Sequence, residues 1–272
     1  MTEKNKSVKK ERLDVFLVNK GLFESRSKAQ AAIMAGEILI NEEKMDKPGM
    51  SVRVDSAIRM LGNKLPFVSR GGLKLAKAIK SFDLNLQGKI VADLGASTGG
   101  FTDCALQNGA VKVYAVDVGY GQLAWKLCTD KRVINMERTN VRFLEENSLD
   151  DKIDVATIDV AFISLDKVLP AAYKILGSNG VVMALIKPQF EAGRENIGKK
   201  GVVKDPAIHK GVIEKVLAVA RELHFIVAGL DFSPIKGPEG NIEYLLYLGK
   251  TGKDTVDEKK IEEVVELSHS TL

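Results

Sequence analysis

A glycine-rich loop joins an apolar run to a helical pattern at residues 93–102. Its sequence is DLGASTGGFT, with glycines at positions 95, 99 and 100. Glycine lets the backbone approach a ligand closely, and the N–H groups at a helix N-terminus are free to bind one. Asp117 ends the next apolar run, where a carboxylate can accept hydrogen bonds from a ribose diol. The glycine spacing fits neither a dinucleotide fingerprint nor a Walker loop. The pattern therefore predicts another ribosyl ligand, with a ligand-free turn as the alternative.

Charged residues end two further apolar runs. Asp159 follows VATI, and Lys187 closes the run VVMALIK. A lysine in such a run is costly unless its ammonium finds a partner. Ligands of open α/β sheets bind outside the carboxyl ends of the strands, so we expect the charged strand ends to face one crevice. These strand ends are Asp93, Asp117, Asp159 and Lys187. The alternative for the isolated residues is a pair of structural ion pairs.

The elements that carry these residues alternate between strand and helix, which is typical of a parallel α/β sheet with covered faces. The predicted strands are Ile90–Asp93, Val113–Asp117, Val155–Asp159, Val181–Lys187, Phe225–Asp231 and Ile242–Leu248. The predicted helices are Leu73–Phe82, Thr102–Asn108, Ser164–Leu176 and Ala207–Leu223. The loop between the last two strands is too short for a helical crossover, so we expect that pair to be antiparallel. Lys74, Lys77 and Lys80 are expected on the polar side of the first of these helices.

The first quarter of the chain has a different pattern and holds the basic excess. Two short helical patterns precede the alternating residues Ile38, Ile40, Val52 and Val54, which predict a helix–helix–hairpin unit over residues 1–62. Residues 1–64 contain 13 Lys and Arg against 9 Asp and Glu, while the rest of the chain is balanced. Such asymmetry of charge suggests a module that binds phosphate groups, with a solvated basic face as the alternative. A connector over 63–69, a domain over 70–250 and a charged tail or helix over 251–272 complete the predicted organisation.

Composition excludes several classes of protein. The chain has 272 residues, of which 45% are hydrophobic and 28% are charged, and this balance is that of a globular protein. No run approaches 18 uncharged apolar residues, so we expect no membrane span. The two cysteines form no pairing pattern, which favours a reduced, cytoplasmic chain. His209 and His224 flank one helix without partners at ligand spacing, so we expect no metal.

Several short sequence words carry a resemblance to one family. The glycine loop looks like the S-adenosylmethionine loop of the FtsJ-type RNA ribose methyltransferases. Four flanking words resemble the TlyA family of rRNA 2′-O-methyltransferases, namely SRGGLKL at 69–75, ERTNVR at 137–142, DVAFIS at 159–164 and LIKPQFE at 185–191. Near the N-terminus, RLD at 12–14, GL at 21–22, SRSKA at 25–29, Gly36 and KP at 47–48 are similar to the S-four-type RNA-binding domain. The resemblance extends to about Lys250. It implies a Rossmann-like class I S-adenosylmethionine methyltransferase with a small N-terminal α+β RNA-binding domain.

The resemblance also implies a catalytic tetrad, formed by Lys74, Asp159, Lys187 and Glu243. A ribose 2′-hydroxyl is a poor nucleophile and must lose its proton while it attacks the sulfonium methyl. In this interpretation Lys187 takes that proton, and Asp159 orients Lys187 near the transferring methyl. Lys74 and Glu243 position the ribose and set the electrostatics. The sequence leaves open which of the two lysines accepts the proton.

The family pattern further implies contacts to the methyl donor and to RNA. The predicted cofactor contacts are Asp93, Gly95, Ala96, Ser97, Thr98, Gly99, Gly100, Phe101, Thr102, Asp117, Val118, Asn140 and Asp159. Asn140 either contacts the adenine or caps a turn, and Phe101 either packs beside the ligand or staples the helix start. The predicted RNA contacts are Arg12, Arg26, Lys28 and Arg70, joined by a basic loop over 189–205 that includes Lys199 and Lys200. The expected partners are ribosomal RNA or ribosomal subunits, with no membrane.

Three other functions compete with that of an rRNA methyltransferase. A non-catalytic RNA-binding or ribosome-assembly factor is expected to have lost members of the tetrad, and all four positions are filled here. A haemolysin, a label that relatives have carried, requires an amphipathic or spanning segment, and the sequence shows neither. An NAD-linked oxidoreductase is disfavoured by the glycine spacing and by the two lysines.

Overall fold

Two compact units make up the chain, with the boundary between residues 64 and 65. The computed structural model describes residues 9–61, 65–198 and 201–272. Residues 63 and 64 of the predicted connector over 63–69 lie outside the described residues. The rest of that connector packs on the second unit. Phe67 and Val68 contact its core, and the Val68 N–H donates a hydrogen bond to the Asp103 carboxylate at 2.8 Å.

The first unit combines two short helices with two small sheets. Its elements are β1 (Lys10–Arg12), α1 (Leu13–Asn19), α2 (Arg26–Met34), β2 (Ile38–Ile40), β3 (Glu43–Met45), β4 (Ser51–Arg53) and β5 (Ile58–Met60). The Ser25 hydroxyl caps α2 by accepting a hydrogen bond from the Lys28 N–H. Apolar residues of both helices pack with Ile38 in a core that belongs to this unit alone.

The hairpin predicted between Ile38–Ile40 and residues 52–54 is wrong. β2 pairs antiparallel with β3 and with β5, whereas β4 pairs with β1. Asn41 and Glu42 have φ angles of 51° and 68°. Two consecutive residues of positive φ form a two-residue turn whose twist matches that of paired strands. This turn joins β2 to the residues directly after it, and the sequence lacks the Asn-Gly pair that usually signals such a turn.

The second unit is a sheet whose two faces are covered by helices. Its helices are α3 (Gly71–Ser81), α4 (Gly100–Gln107), α5 (Trp125–Cys128), α6 (Leu169–Ile175), α7 (Pro188–Glu191), α8 (Pro206–Glu222) and α9 (Glu258–Thr271). Its strands are β6 (Ile90–Leu94), β7 (Lys112–Val116), β8 (Val133–Met136), β9 (Ile153–Ile158), β10 (Leu176–Ile186), β11 (Ile226–Phe232) and β12 (Tyr244–Gly249). Buried residues of α3, α4 and α5 form the core on one face, and those of α6, α8 and α9 form the core on the other.

The strand order in this sheet is β11-β12-β10-β9-β6-β7-β8. The run from β10 to β8 is parallel, and β12 is antiparallel to both of its neighbours. These pairings confirm the predicted mostly parallel sheet and the antiparallel pair at the C-terminal end. Because helices cover both faces, the parallel strands are apolar along almost their whole length. Their carboxyl ends lie along one edge of the sheet, so the residues that follow them can meet there.

The helix predicted over Ser164–Leu176 is broken into two pieces. A 3-10 turn spans Leu165–Lys167, and α6 begins only at Leu169. Pro170 lies in the first turn of α6, where its missing N–H costs no helical hydrogen bond. A proline in the middle of a longer helix would have cost one, so the helix starts where the proline is tolerated. Across residues 9–61, 65–198 and 201–272, no helix is both long and apolar enough to cross a membrane.

Candidate active site

Two adjoining cavities open at the carboxyl ends of the parallel strands. One has a volume of about 430 Å³ and is lined by Asp117, Val118 and Asn140 among others. The other has a volume of about 520 Å³ and is lined by Lys74, Lys187 and Glu243, with the residues around them. Gly95, Ser97, Asp159 and Ala161 line both cavities. A molecule that fills the first cavity can therefore present one end to the charged residues of the second.

The glycine loop forms the boundary between the two cavities. Gly95 has a φ of 93°, and a Cβ there would stand 2.6 Å from the Asp159 carbonyl oxygen. Glycine is thus required by its backbone conformation and by the close approach of the next strand end. The N–H groups of Gly95 and Ala96 donate to the Val116 carbonyl, which fixes the start of the loop against β7. Gly99, with a φ of 92°, lies directly before α4.

The expectation that Asp93 faces the crevice is wrong. Asp93 is fully buried beneath the loop, and its carboxylate accepts hydrogen bonds from the Thr102 hydroxyl at 2.6 Å and the Thr157 hydroxyl at 3.1 Å. Burial raises the pKa of Asp93 to about 6, and the two hydroxyls partly oppose that shift. Thr102 is also fully buried. These two predicted cofactor contacts instead tie the glycine loop to β9 from below.

Asp117 lies at the mouth of the first cavity. Its carboxylate accepts hydrogen bonds from the Ser97 N–H at 2.8 Å and from the Gly119 N–H at 2.7 Å. A carboxylate offers about four lone-pair sites, so two remain for a ligand. Asn140 lines the same cavity and also caps a 3-10 turn by accepting from the Arg142 N–H at 3.1 Å. Both alternatives considered for Asn140 are therefore compatible with its position.

The remaining loop residues divide between the two cavities and the core. Ala96, Thr98, Gly100 and Phe101 line the second cavity, and Phe101 is otherwise buried against the core below α3 and α4. A Cβ on Gly100 would stand 2.9 Å from the Gly72 backbone nitrogen. This glycine lets the start of α3 approach the start of α4, and α3 carries Lys74.

The four residues of the predicted tetrad meet in the second cavity. Lys187 Nζ lies 2.5 Å from Asp159 Oδ1, and Lys74 Nζ lies 2.6 Å from Glu243 Oε2. Lys74 Nζ also lies 3.6 Å from Asp159 Oδ2, so Asp159 is shared by both ammonium groups. The four residues come from α3, from the ends of β9 and β10, and from just before β12. Two positive and two negative charges thus form one nearly neutral, mostly buried cluster.

The position of Lys74 differs from the expected polar side of its helix. The side chain of Lys74 is only 9% exposed and that of Glu243 only 1% exposed, whereas Lys80 is exposed as expected. A lysine can be buried when its ammonium is paired with a carboxylate. The partner comes from the far end of the chain, so the periodicity of α3 alone could not reveal it.

A loop that the sequence analysis did not single out forms the outer wall of the second cavity. Ile235, Lys236, Gly237 and Pro238 line it, and a Cβ on Gly237 would stand 2.7 Å from Glu243 Oε1. Arg70, a predicted RNA contact, lines the same cavity and donates a hydrogen bond to the Lys236 carbonyl at 3.1 Å. The Gly/Pro-rich composition of this stretch was the signal available to locate a functional loop.

Two of the three predicted RNA contacts of the first unit bind one buried carboxylate. Arg12 and Arg26, both about half exposed, hydrogen-bond to Asp14 at 3.1 and 2.9 Å, and Asp14 is fully buried. These contacts hold the pKa of Asp14 well below its usual range, Arg12 making the largest contribution. Lys28 pairs with Glu24 on the surface. Of the predicted basic loop over 189–205, Lys199 and Lys200 lie outside the described residues.

The chain is similar to known proteins over almost its whole length. Residues 67–250 match the model of the FtsJ-like methyltransferase family, and residues 11–58 match that of the S4 domain. The chain is 52% identical to a Bacillus subtilis protein named "Putative rRNA methyltransferase YqxC", over 97% of this chain and 96% of that protein. It is 39% identical to the Mycobacterium tuberculosis protein named 16S/23S rRNA (cytidine-2′-O)-methyltransferase TlyA, over 93% of this chain and 95% of that protein.

Solved structures give the same fold. A structure titled "Putative hemolysin from Streptococcus thermophilus" is 49% identical and superposes with a TM-score of 0.77, covering 97% of this chain and 98% of that one. A structure titled "Crystal structure of putative S-adenosylmethionine dependent methyltransferase from Listeria monocytogenes" has 17% identity and a TM-score of 0.51, covering 67% of this chain and 99% of that one. At that identity the likeness shows the fold alone.

Proposed function

The chain belongs to the FtsJ-like methyltransferase family and carries an N-terminal S4 domain; from that premise we propose that it transfers a methyl group from S-adenosylmethionine to a ribose 2′-hydroxyl of ribosomal RNA. The single observation that carries the proposal is the cluster of Lys74, Asp159, Lys187 and Glu243 in a cavity that adjoins the glycine loop. An rRNA substrate, alone or within a ribosomal subunit, places the reaction in the cytoplasm.

The first cavity has the donors and acceptors that S-adenosylmethionine requires. Asp117 retains lone pairs for the ribose diol, and Val118 and Val141 offer apolar surface to the adenine. Beside this cavity, at the edge of the second cavity, the N-terminus of α4 at Gly100 and Phe101 offers N–H groups to the methionyl carboxylate, as helix N-termini do for anions. The close approach of Gly95 to Asp159 joins this cavity to the charged cluster. When bound, S-adenosylmethionine supplies a sulfonium-activated methyl, whose bonding electron pair stays on sulfur as the methyl leaves.

The charged cluster is arranged to deprotonate a hydroxyl. We assign Lys187 as the group that accepts the hydroxyl proton, in its neutral form, while the oxygen forms the new bond to carbon. Each adjacent carboxylate stabilises a protonated lysine. In the ion pairs of the described residues Lys74 contacts two carboxylates and Lys187 contacts one, which leaves more of the Lys187 nitrogen open to a substrate hydroxyl. Asp159 orients Lys187, and the Lys74–Glu243 pair bounds the space left for the ribose.

The test is transfer of labelled methyl to rRNA and to isolated ribosomal subunits, with the product mapped by mass spectrometry. We expect a 2′-O-methyl mark on a defined nucleotide. Lys187→Ala is expected to abolish transfer while leaving the Kd for S-adenosylmethionine nearly unchanged. Lys80→Ala, which removes an exposed lysine from α3, is the matched control and is expected to retain activity. Substantial turnover by Lys187→Ala would remove Lys187 as the proton acceptor.

Cofactor binding has a separate test that needs no RNA. Asp117→Ala is expected to raise the Kd for S-adenosylmethionine about tenfold or more, equivalent to about 1.4 kcal/mol. Asp150→Ala, an exposed acidic residue, is the control for the lost charge. Calorimetry measures both. An unchanged Kd in Asp117→Ala would refute the ribose contact, and binding without transfer to any RNA would favour an assembly factor.

A further inference from the structure

Glu191 is a nearly buried carboxylate that the reaction described above does not use. It lies at the end of α7, four residues after Lys187, and is 7% exposed. One carboxylate oxygen accepts a hydrogen bond from the Ser164 hydroxyl at 2.5 Å. The other accepts from the Leu165 N–H at 2.7 Å. Both donors belong to the segment that follows Asp159.

The segments 159–165 and 187–191 are therefore joined at both ends. At the cavity, Asp159 pairs with Lys187 at 2.5 Å. In the middle, the rings of Phe162 and Phe190 lie 5.1 Å apart. At the far end, Glu191 holds Ser164 and Leu165. Within the first segment Leu165 is buried in the core, whereas Phe162 adopts a φ of 61° and is largely exposed.

Moving the Glu191 carboxylate out of water costs free energy, which its contacts with the protein must offset. Desolvation raises the pKa of Glu191, and Asp166 raises it further, while Ser164, Leu165 and Lys215 oppose the shift. Among the described residues, no Lys or Arg nitrogen lies within salt-bridge distance of the Glu191 side chain; the Lys215 ammonium instead donates to the Glu191 backbone carbonyl at 3.3 Å. Two hydrogen bonds to one segment are thus the main compensation for the buried charge. Glu191 is therefore held to this segment by two hydrogen bonds and not by an ion pair.

We propose that Glu191 is a positioning residue for methyl transfer, which acts as a tether that holds the Asp159 segment in register with Lys187. The proposal rests on the proposed function, since Glu191 would preserve the geometry of the Asp159–Lys187 pair, in which Lys187 accepts the proton. When the tether is cut, Ser164 and the Leu165 N–H lose their link to α7, so the chain between Asp159 and the buried Leu165 side chain is less constrained and Asp159 holds Lys187 less firmly. A glutamine fits the same role, because its carbonyl accepts from Leu165 N–H and its amide can donate to the Ser164 oxygen.

The test compares Glu191→Ala, Glu191→Gln and Ser164→Ala in the full chain, with Glu195→Ala as the control at an exposed glutamate of the following turn. Rates of methyl transfer to rRNA are divided by the number of molecules that bind S-adenosylmethionine, counted by calorimetry. We expect the kcat of Glu191→Ala to fall tenfold or more, with the Kd for S-adenosylmethionine and the KM for RNA changed less than threefold. Glu191→Gln is expected to stay within threefold of the wild type, with Ser164→Ala between the two.

Hydrogen exchange supplies a readout that does not depend on RNA. The amides of residues 160–168 are expected to exchange faster in Glu191→Ala and at the wild-type rate in Glu191→Gln. If the loss of kcat disappears once inactive molecules are discounted, Glu191 is structural only and the proposal fails. It also fails if Glu191→Gln loses as much as Glu191→Ala, or if exchange is unchanged in Glu191→Ala. If the wild type methylates no RNA but the exchange result is as expected, the proposed function is overturned. Glu191 would then join the two segments without a role in methyl transfer.

Discussion

At the scale of single residues, the charges of the site depend on one another. Asp159 faces both ammonium groups, and Glu243 is buried with Lys74 as its counterion. Removal of one partner from a buried ion pair leaves an uncompensated charge, which destabilises by about 3–5 kcal/mol. Replacement of both partners by apolar residues of similar volume costs much less. The Lys74–Glu243 pair therefore maintains the form of the site more than it stabilises the fold.

A double-mutant cycle tests this dependence. Lys74→Met and Glu243→Leu are each expected to lower the free energy of unfolding by about 3 kcal/mol. The double variant is expected to lose clearly less than the two single losses added together, because no charge is left unpaired. Urea denaturation measures all four proteins, with Lys80→Met as a control at an exposed lysine. Additive losses would show that the two side chains do not compensate each other.

The buried His209 makes the stability of the folded chain depend on pH, and the direction of its pKa shift gives the sign of that dependence. It is fully buried, with Nδ1 2.7 Å from the Tyr244 hydroxyl and Nε2 3.0 Å from the Val203 carbonyl. Burial lowers its pKa from 6.5 to about 4, and the nearby His269 lowers it while Val203 and Asp205 oppose the shift. The unfolded chain therefore takes up a proton before the folded chain does. Stability from this group is present above pH 6.5 and is lost as the pH falls towards 4.

The expected effect is a loss of up to about 1.4 kcal/mol per pH unit across that window. Because Asp93, whose pKa is raised to about 6, also titrates there, the measured quantity is the difference in slope between the wild type and His209→Gln. That variant is expected to show a flatter dependence in chemical denaturation between pH 6.5 and 4. His224→Asn, at an exposed histidine of positive φ that asparagine tolerates, should keep the wild-type slope. Parallel curves for the wild type and His209→Gln would contradict the assignment.

Strand ends pointed to Asp159 and Lys187, and the family resemblance added Lys74 and Glu243, but neither predicted how deeply the four side chains are buried. Lys74 was expected on a polar face and Asp93 in the crevice. Both expectations failed because the partners, Glu243 for one and the hydroxyls of Thr102 and Thr157 for the other, are fixed by tertiary packing. Local patterning shows where a charge stands along an element. It does not show which distant group compensates that charge.

At the scale of elements, glycines determine how closely the helices approach the site. Gly100 allows α3 and α4 to meet at their N-termini, where an added Cβ would stand 2.3 Å from the Ser69 hydroxyl and 2.9 Å from the Gly72 nitrogen. The second contact is with backbone and cannot be relieved by rotation of a side chain. α3 carries Lys74, so the contact between the two helices sets the depth at which that ammonium enters the cavity.

Gly100→Ala is accordingly expected to displace α3, with a stability loss of about 1–3 kcal/mol from overpacking. We expect kcat to fall more than the Kd for S-adenosylmethionine rises, because Lys74 belongs to the second cavity. Gly211→Ala is the matched control, since this glycine lies inside α8 with open space around it. There the change is expected to stabilise by about 0.5–1 kcal/mol. Thermal unfolding and kinetics check both, and a Gly100→Ala protein as stable as the wild type would refute the packing argument.

Elements with long buried runs were predicted to within a few residues. β6, β7 and β9 are examples, because helices on both faces require apolar residues at nearly every position. The short strands of the first unit were mispaired, since three-residue strands carry little pattern and their register depends on the turn at Asn41 and Glu42. The helix around Pro170 was predicted too long, because the proline was not used as a start signal.

At the scale of the whole molecule, each unit has its own core, and both cavities described above are lined by residues of the second unit alone. Cofactor binding and RNA anchoring can therefore be separated by experiment. We propose that the exposed parts of Arg12 and Arg26, which Asp14 holds in place, are among the basic groups that the first unit offers to phosphates.

Deletion of residues 1–64 is expected to weaken RNA binding and to flatten its dependence on salt. Fewer phosphate contacts release fewer counterions, so the slope of log affinity against log salt concentration falls. Calorimetry on the same truncated protein is expected to give a Kd for S-adenosylmethionine within about threefold of that of the full chain. This control verifies that the remaining unit is folded. If the truncated chain binds rRNA as tightly and with the same salt slope, the anchor lies elsewhere.

The position of β12 in the sheet has a consequence for the order in which a growing chain acquires its abilities. β12 is the last strand to be synthesised, yet it lies between β10 and β11. Among the described residues β11 pairs with β12 alone, so the two strands join the sheet together, as a hairpin, once Gly249 has left the ribosome. Everything that lines the first cavity has left the ribosome well before then, whereas Glu243 arrives with the hairpin. The residues of the first cavity therefore precede the hairpin in the chain, whereas the second cavity lacks the Glu243 carboxylate until the hairpin pairs with β10.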